Sequence, residues 1–159
     1  MSTYAEPSNR KAPPLPGARG EMVIPIKTLE VRGDFDLSRI RRAVAACAND
    51  LSFDTLSRTR LVTAASELAR NMLTYGGGGI VQIDQLQEPE RTGLRAVFTD
   101  QGPGIPDPEA AVADGFTSGR GLGLGLGGAK RLVDQFHLDS RPGQGTTVSI
   151  TSWVRSGRR

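Results

Sequence analysis

Glu67 and Asn71 are a pair of residues whose types and spacing could do chemistry. They stand four positions apart in a segment with helical periodicity, so their side chains project from one face of the helix. A carboxylate beside an amide oxygen can orient a hydroxyl group and bind Mg²⁺, which prefers oxygen ligands. A solvated helix face is the alternative interpretation, because polar residues at this spacing are common on helix surfaces.

The segment Asp100-Gln-Gly-Pro-Gly-Ile105 directly follows a predicted strand. A carboxylate at a strand end can accept a proton from the amino group of a base. Gly102 and Gly104 would leave room for a planar ring beside it. A plain turn is the alternative, because Asp, Gly and Pro dominate turns for conformational reasons.

A glycine-rich segment, residues 119–128, precedes a predicted helix. Successive glycine N–H groups before a helix N-terminus form an anion site. Gly123-x-Gly-x-x-Gly128 also matches the dinucleotide-binding fingerprint, but the sequence predicts no βαβ unit around it. The alternating leucines, among them Leu122 and Leu124, distinguish this segment from a flexible linker. Residues 102–128 form a stretch longer than most loops that only connect two elements, which predicts a functional loop or lid.

The elements that must position these residues follow the order β-α-α-β-β-loop-α-β-β. Strands are predicted at 22–31, from Ile80, at 94–99, at 137–141 and at 146–154. Helices are predicted from Asp36 or Ser38 to about Asn49, from Asp54 or Thr55 to about Thr74, and over about 127–136. Pro25 places the first strand at a sheet edge or a bulge. Strands grouped in hairpins predict an α+β two-layer sandwich, with a mixed, mostly antiparallel sheet covered by helices on one face.

The formal net charge of +3 is carried by the chain ends. Residues 1–20 carry +2 and residues 151–159 carry +3, which leaves −2 for residues 21–150. A nucleic-acid module concentrates Lys and Arg on its folded body, usually with stacking aromatics, and only 5% of this chain is aromatic. The balance therefore argues against a nucleic-acid partner.

Cysteine usage and hydropathy indicate a cytoplasmic protein. Cys47 is the only cysteine and has no partner for an intrachain disulfide. It lies on an apolar helix stripe, which predicts a core position rather than a nucleophile. No window approaches the roughly 20 apolar residues that span a bilayer, so no membrane partner is expected.

The composition along the chain predicts one domain. Residues 1–20, rich in Pro and Gly and containing basic residues, are expected to be a disordered leader. Residues 21–154 would form the domain, and residues 155–159 a basic tail.

In this order and spacing, the three polar segments resemble the nucleotide-binding boxes of the GHKL superfamily, the ATP-binding (Bergerat) fold of gyrase, Hsp90, histidine kinases and MutL. Glu67 and Asn71 are similar to the N box, and the Asp100 segment is similar to the first glycine box. Within the superfamily, the chain resembles the small serine/threonine switch kinases of the partner-switching, anti-sigma regulatory family. Gly127 departs from that family, which usually has proline there.

The resemblance implies a role for each matching residue toward ATP and Mg²⁺. Glu67 would orient or deprotonate the acceptor hydroxyl, and Asn71 would ligate Mg²⁺. Asp100 would accept the adenine amino group, directly and through water with Thr146. The remaining nucleotide contacts would come from Gly102, Gly104, Ile105, Gly119, Arg120, Gly121, Leu122, Gly123, Leu124 and Gly125.

The activity implied by the resemblance is Mg·ATP-dependent phosphorylation of a protein serine or threonine. The expected substrate is a STAS-domain antagonist, and on release the kinase would activate a PP2C-type phosphatase or a similar regulator. The alternative is an anti-sigma factor kinase that sequesters a sigma factor and phosphorylates its anti-anti-sigma partner. A module that only binds ATP is the third possibility, and the presence of both Glu67 and Asn71 speaks against it.

Overall fold

The computed structural model describes residues 20–113 and 125–156. Its strands are β1 (Met22–Val31), β2 (Gly79–Gln87), β3 (Thr92–Asp100), β4 (Gln135–Ser140) and β5 (Thr146–Trp153). Its helices are α1 (Asp34–Asp50), α2 (Thr55–Gly76), α3 (Pro108–Val112) and α4 (Gly125–Arg131). Apart from Gly20, the predicted leader lies outside the described residues.

The five described strands form one sheet in the order β1-β2-β3-β5-β4. All four pairings are antiparallel. The predicted α+β class is confirmed, and the sheet expected to be mixed and mostly antiparallel is antiparallel in all of its described pairings. Two hairpins, β2–β3 and β4–β5, meet where β3 pairs with β5. Asp100 lies opposite Thr146 at the end of that pairing, so two predicted site residues are neighbours across the junction of the hairpins.

The helices cover one face of the sheet, as the sequence predicted. Successive strand residues point to opposite faces, and on β3 Leu94, Ala96 and Phe98 belong to the hydrophobic core. The buried stripe of α2 packs against them and includes Leu61, Ala65, Leu68 and Met72. The other sheet face carries Asp84, Arg95, Ser149 and Thr151, and we call it the polar face.

β1 is an edge strand with an irregular register. Its pairing with β2 shifts between Pro25 and Lys27, so both features expected of Pro25, an edge position and a bulge, are present. Proline lacks the N–H that a central ladder needs, which explains why it is tolerated here.

Local side chains set the helix starts. α2 begins at Thr55, one of its two predicted starts, and Asp54 caps it, where its Oδ1 accepts a hydrogen bond of 2.8 Å from the Ser57 N–H. α1 begins at Asp34 with Gly33 at the N-cap, earlier than either predicted start, Asp36 or Ser38. Asp36 still acts at this terminus, because its Oδ2 reaches back to accept from the Arg32 N–H at 2.8 Å and the Gly33 N–H at 3.2 Å.

The prediction for the last helix was wrong at its C-terminal end. α4 ends at Arg131, whereas the predicted helix ran to Phe136. The Asp134 N–H donates to the Thr151 carbonyl at 3.1 Å, and Asp134 Oδ2 accepts from the Trp153 N–H at 2.8 Å. These bonds join the chain to β5, so Phe136 lies in β4 opposite Ile150.

The sequence also failed to predict α3. Asp107 caps it by accepting from the Ala110 N–H at 3.1 Å, and Pro108 occupies its first turn. This helix of five residues is too short to display a hydrophobic period. In the described parts of the chain, no helix combines the length and apolar character needed to cross a membrane.

Candidate functional site

A cavity of about 440 Å³ lies between the C-terminal half of α2 and the ends of β3 and β5. The loop after β3, α3 and the start of α4 close its remaining sides. Its apolar walls include Leu68, Met72, Phe98, Ile105, Leu126 and Val148. The size falls within the range of small-molecule sites, and apolar walls suit a planar ring.

Asp100 supplies a carboxylate to one end of this cavity. The residue is only 9% exposed, and its Oδ1 accepts from the Gly102 N–H at 2.9 Å and the Thr146 N–H at 3.2 Å. Its Oδ2 takes no hydrogen bond from the described residues. Two backbone donors therefore fix the carboxylate while one oxygen stays available to accept a proton from a ligand.

Gly76, the last residue of α2, packs directly against Asp100. A Cβ atom at Gly76 would lie 2.5 Å from Asp100 Oδ2 and 2.7 Å from Asp100 Cβ. The predicted helix ended at about Thr74, and Gly76 was not predicted as a site residue. A usable signal exists, because Gly76 continues the buried Leu68–Met72 stripe at four-residue spacing, and a glycine on such a stripe indicates close approach.

Asn71 and Glu67 lie at successive turns of α2 away from Asp100. Asn71 lines the cavity, whereas Glu67 lies outside its wall on the same helix. The Glu67 side chain is 14% exposed, and its Oε1 lies 3.8 Å from Arg70 Nη1. That distance is an ion pair rather than a hydrogen bond, so the carboxylate keeps its accepting capacity.

The hydroxyl of Ser140 ties the loop after β3 to β5. It accepts from the Ile105 N–H at 2.7 Å and lies 2.8 Å from the Thr146 hydroxyl. Nearby, Gly104 has a φ of +79°, and a Cβ there would collide with the Arg141 carbonyl. Ser140 was not predicted as a site residue, because it lies near the end of a predicted strand and no local pattern marks it.

The structure brings six of the predicted site residues to one cavity: Asn71, Asp100, Gly104, Ile105, Gly125 and Thr146. Gly102 contributes through its N–H to Asp100 and through its contact with Gly76. Glu67 stands one helical turn from Asn71, outside the wall. Gly119, Arg120, Gly121, Leu122, Gly123 and Leu124 lie outside the described residues.

No cluster of three or more His, Cys, Asp or Glu side chains capable of holding a metal ion occurs within residues 20–113 and 125–156. A divalent cation at this cavity would therefore take few protein ligands, as Mg²⁺ does when substrate phosphates supply most of its oxygens. Asn71, an oxygen donor on the cavity wall, fits that mode of binding.

Cys47 belongs to the hydrophobic core, which confirms its predicted position. It is 8% exposed, and burial raises the pKa of its thiol above the ordinary value. Trp153 is also buried, with the Arg91 guanidinium 3.6 Å from the centre of its ring. Neither residue lines the cavity beside Asp100.

Comparison with known families and proteins agrees with the family resemblance of the sequence motifs. Residues 57–156 match the family described as histidine kinase-, DNA gyrase B-, and HSP90-like ATPase. The chain is 40% identical over 127 residues to the serine/threonine-protein kinase RsbT of Bacillus subtilis, covering 80% of this chain and 96% of that protein. It is 31% identical over 147 residues to an anti-sigma F factor of Bacillus licheniformis, covering 88% of this chain and 97% of the relative.

The fold has a counterpart among solved structures. The RsbU and RsbW domains of Rv1364c from Mycobacterium tuberculosis superpose with a TM-score of 0.56 at 19% sequence identity. The match covers 84% of this chain and 34% of the mycobacterial chain. It supports the architecture of one sheet covered by helices on a single face.

Proposed function

The chain belongs to the family of histidine kinase-, DNA gyrase B- and HSP90-like ATPases, and we propose that it is a Mg·ATP-dependent protein serine/threonine kinase of a partner-switching module. The observation that carries the proposal is the cavity beside Asp100, with one oxygen of a fixed carboxylate left to accept a proton. The 40% identity to a serine/threonine kinase over most of both chains supports the reaction class.

Asp100 would recognise the base. Its Oδ1 is occupied by two backbone donors, so Oδ2 accepts the exocyclic amino group of adenine. Phe98, Ile105 and Val148 supply apolar surface for the ring. Because these hydrogen bonds hold the carboxylate before the ligand binds, the Asp100 side chain loses little conformational entropy on binding.

The phosphates would extend along α2 toward Asn71 and Glu67. Gly76 marks the base end, and the rise of 1.5 Å per residue puts Glu67 about 13 Å further along the helix axis. Asn71 would hold Mg²⁺ through its side-chain oxygen, and the ion when bound would neutralise charge on the phosphate oxygens. The glycine N–H groups of residues 119–125 would complete the anion site.

Glu67 would act on the acceptor hydroxyl. Its carboxylate has no hydrogen-bond donor among the described residues and lies one turn from Asn71, so it can accept the proton of an incoming serine or threonine. Arg70, 3.8 Å from that carboxylate, would limit its movement. Positioning and electrostatic stabilisation supply most of the catalysis in phosphoryl transfer, which suits a site with few reactive groups.

The partners would be other proteins of the regulatory module. We assign a STAS-domain antagonist as the phosphorylated substrate and a PP2C-type phosphatase, or a similar regulator, as the protein activated on release. The net charge of −2 on residues 21–150 fits protein partners better than nucleic acid. These assignments follow from the resemblance of the chain to partner-switching kinases.

The second candidate is an anti-sigma factor that also phosphorylates its antagonist. Relatives named anti-sigma F factor, at 27% to 31% identity, favour it. The higher identity to the kinase, 40%, favours the switch kinase.

The test is transfer of label from [γ-³²P]ATP to a purified STAS-domain protein. Glu67→Ala is expected to bind ATP normally and to lose transfer, whereas Asp100→Asn is expected to weaken ATP binding by about 10- to 150-fold, the loss of one charged hydrogen bond. Glu90→Ala, an exposed carboxylate in the β2–β3 turn, is the matched control and should retain both. Absence of label transfer by the wild-type chain would contradict the kinase assignment, and full transfer by the Glu67 variant would contradict the role of Glu67. Recovery of a sigma factor in place of a phosphatase in co-purification would favour the second candidate.

A further inference from the structure

A second cavity, of about 350 Å³, opens on the polar face of the sheet, away from the helices. Its polar lining residues are Glu21, Arg95, Gln135, His137, Ser149 and Thr151, and Leu86 and Phe136 complete the wall. Alternation along the strands makes Arg95 of β3 and Thr151 of β5 direct cross-strand neighbours. The cavity therefore belongs to the sheet itself and is separate from the site beside Asp100.

Arg95 is neutralised by a buried partner. Asp84, which is 0% exposed, accepts from Arg95 Nη2 at 3.0 Å and from Arg95 Nε at 3.4 Å. The Gln82 amide also donates to Asp84, at 3.2 Å. Asp84 and Arg95 thus form a hydrogen-bonded ion pair in which the two charges cancel.

Glu21 adds a second carboxylate, which receives no hydrogen bond from the Asp84–Arg95 pair. Its side chain is 8% exposed, and its Oε1 lies 4.0 Å from Arg95 Nη1, beyond hydrogen-bond distance. The described residues give it no other donor. Buried charges in proteins are normally paired and hydrogen-bonded, so this carboxylate leaves one negative charge in excess at the cavity.

The neighbouring hydroxyls also lack partners. Ser149 and Thr151 are 5% and 4% exposed, and neither side chain makes a hydrogen bond within the described part of the chain. Each can accept an N–H, as can the side-chain oxygen of Gln135. An excess negative charge beside several free acceptors is complementary to a positive group that carries several N–H donors.

We propose that this cavity binds an organic cation with N–H donors, a guanidinium or primary ammonium group. Glu21 supplies the counter-charge, and Ser149 and Thr151 accept hydrogen bonds. The volume is at the small end of ligand sites, which fits one such head group with a short aliphatic tail. The proposal is independent of the kinase assignment, because none of its residues lines the cavity beside Asp100.

The test is thermal unfolding of the full chain at pH 8 without nucleotide, with agmatine as the probe. Tetramethylammonium chloride at equal ionic strength is the control, because it carries positive charge without N–H donors. We expect a saturable rise in Tm, about 3 °C or more at ten times the half-saturating agmatine concentration, and no rise with the control. A response to agmatine no larger than the response to tetramethylammonium would overturn the proposal.

Three variants locate the site. Glu21→Gln should weaken agmatine binding at least tenfold while the unliganded Tm stays equal or rises, because an uncompensated charge has been removed. Thr151→Val should also weaken binding. Glu30→Gln, on the same edge of the sheet but exposed and paired with Arg32, should leave agmatine affinity unchanged. Wild-type affinity in the Glu21 variant would refute the assignment.

A second titration distinguishes the source of the cation. The peptide acetyl-Gly-Arg-Gly-amide presents the same guanidinium group on a polypeptide backbone. Tighter binding of the peptide than of agmatine would indicate a basic side chain of a protein partner, and binding of agmatine alone would indicate a small molecule. Binding of neither compound overturns the proposal.

Discussion

Gly76→Ala tests whether close packing of α2 against Asp100 sets nucleotide affinity. The new Cβ would lie 2.5 Å from Asp100 Oδ2, whereas ordinary contact begins at about 3.4 Å, so the carboxylate must move by about 0.9 Å. Its Oδ1 is held at 2.9 Å and 3.2 Å by the N–H groups of Gly102 and Thr146, and such a movement breaks those bonds.

The expected loss is that of one charged hydrogen bond to the base. Such a bond contributes about 1.5–3 kcal/mol, which corresponds to about a 10- to 150-fold increase in the Kd for ATP. Calorimetric titration with ATP and Mg²⁺ measures it, with circular dichroism to establish that the variant is folded. Gly33→Ala is the matched control, because no heavy atom lies within 4 Å of a Cβ there.

The double variant Gly76→Ala/Asp100→Asn makes the test specific. If Gly76 acts through the carboxylate, the double variant should bind ATP no more weakly than Asp100→Asn alone, because the two changes remove the same interaction. A folded Gly76→Ala protein with wild-type affinity would refute the reasoning. The reasoning would also be refuted if the losses in ATP-binding free energy from the two substitutions were fully additive.

Two further predictions concern titratable groups outside the cavity. Backbone hydrogen bonds lower the pKa of Asp36 and of Asp54, so the stabilisation from these carboxylates is present above the ordinary pKa of about 4 and is lost as pH falls through the lower folded-state pKa. The free energy of unfolding, measured with urea from pH 6 to pH 2, should therefore fall less steeply in Asp36→Asn/Asp54→Asn than in the wild type. An equal fall in the two proteins would contradict this prediction. Burial raises the pKa of the Cys47 thiol, so iodoacetamide at pH 8 should modify it at least tenfold more slowly in the native protein than in urea, and equal rates would exclude a core position.

Short-range signals gave the element order and several helix limits. Asp54 predicts the start of α2 because a cap acts within three residues, and the alternation of Leu94, Ala96 and Phe98 assigns the buried face of β3. The end of α4 depends instead on Asp134 bonding to β5, which is remote in the sequence. No local pattern contains that information, so the helix was predicted too long.

In the candidate site too, features set by local sequence were predicted and contacts between remote segments were not. The residue types and spacing of Asn71 and Asp100 predict what each could bind, and the structure places both on one cavity. The contact of Gly76 with Asp100 and the Ser140 hydrogen bonds arise from chain segments far apart in sequence. The burial of Asp84 was not predicted either, because it depends on pairing with Arg95 on the neighbouring strand.

The junction between the two hairpins has a consequence for assembly of the protein. The hydrogen bond from the Thr146 N–H to Asp100 joins residues 46 positions apart, so it forms only after a long loop has closed. Each hairpin can form from local contacts, but the cavity exists only once β3 and β5 have paired. A ligand held there would stabilise a non-local pairing of the sheet, so it would raise the cooperativity of unfolding as well as its midpoint.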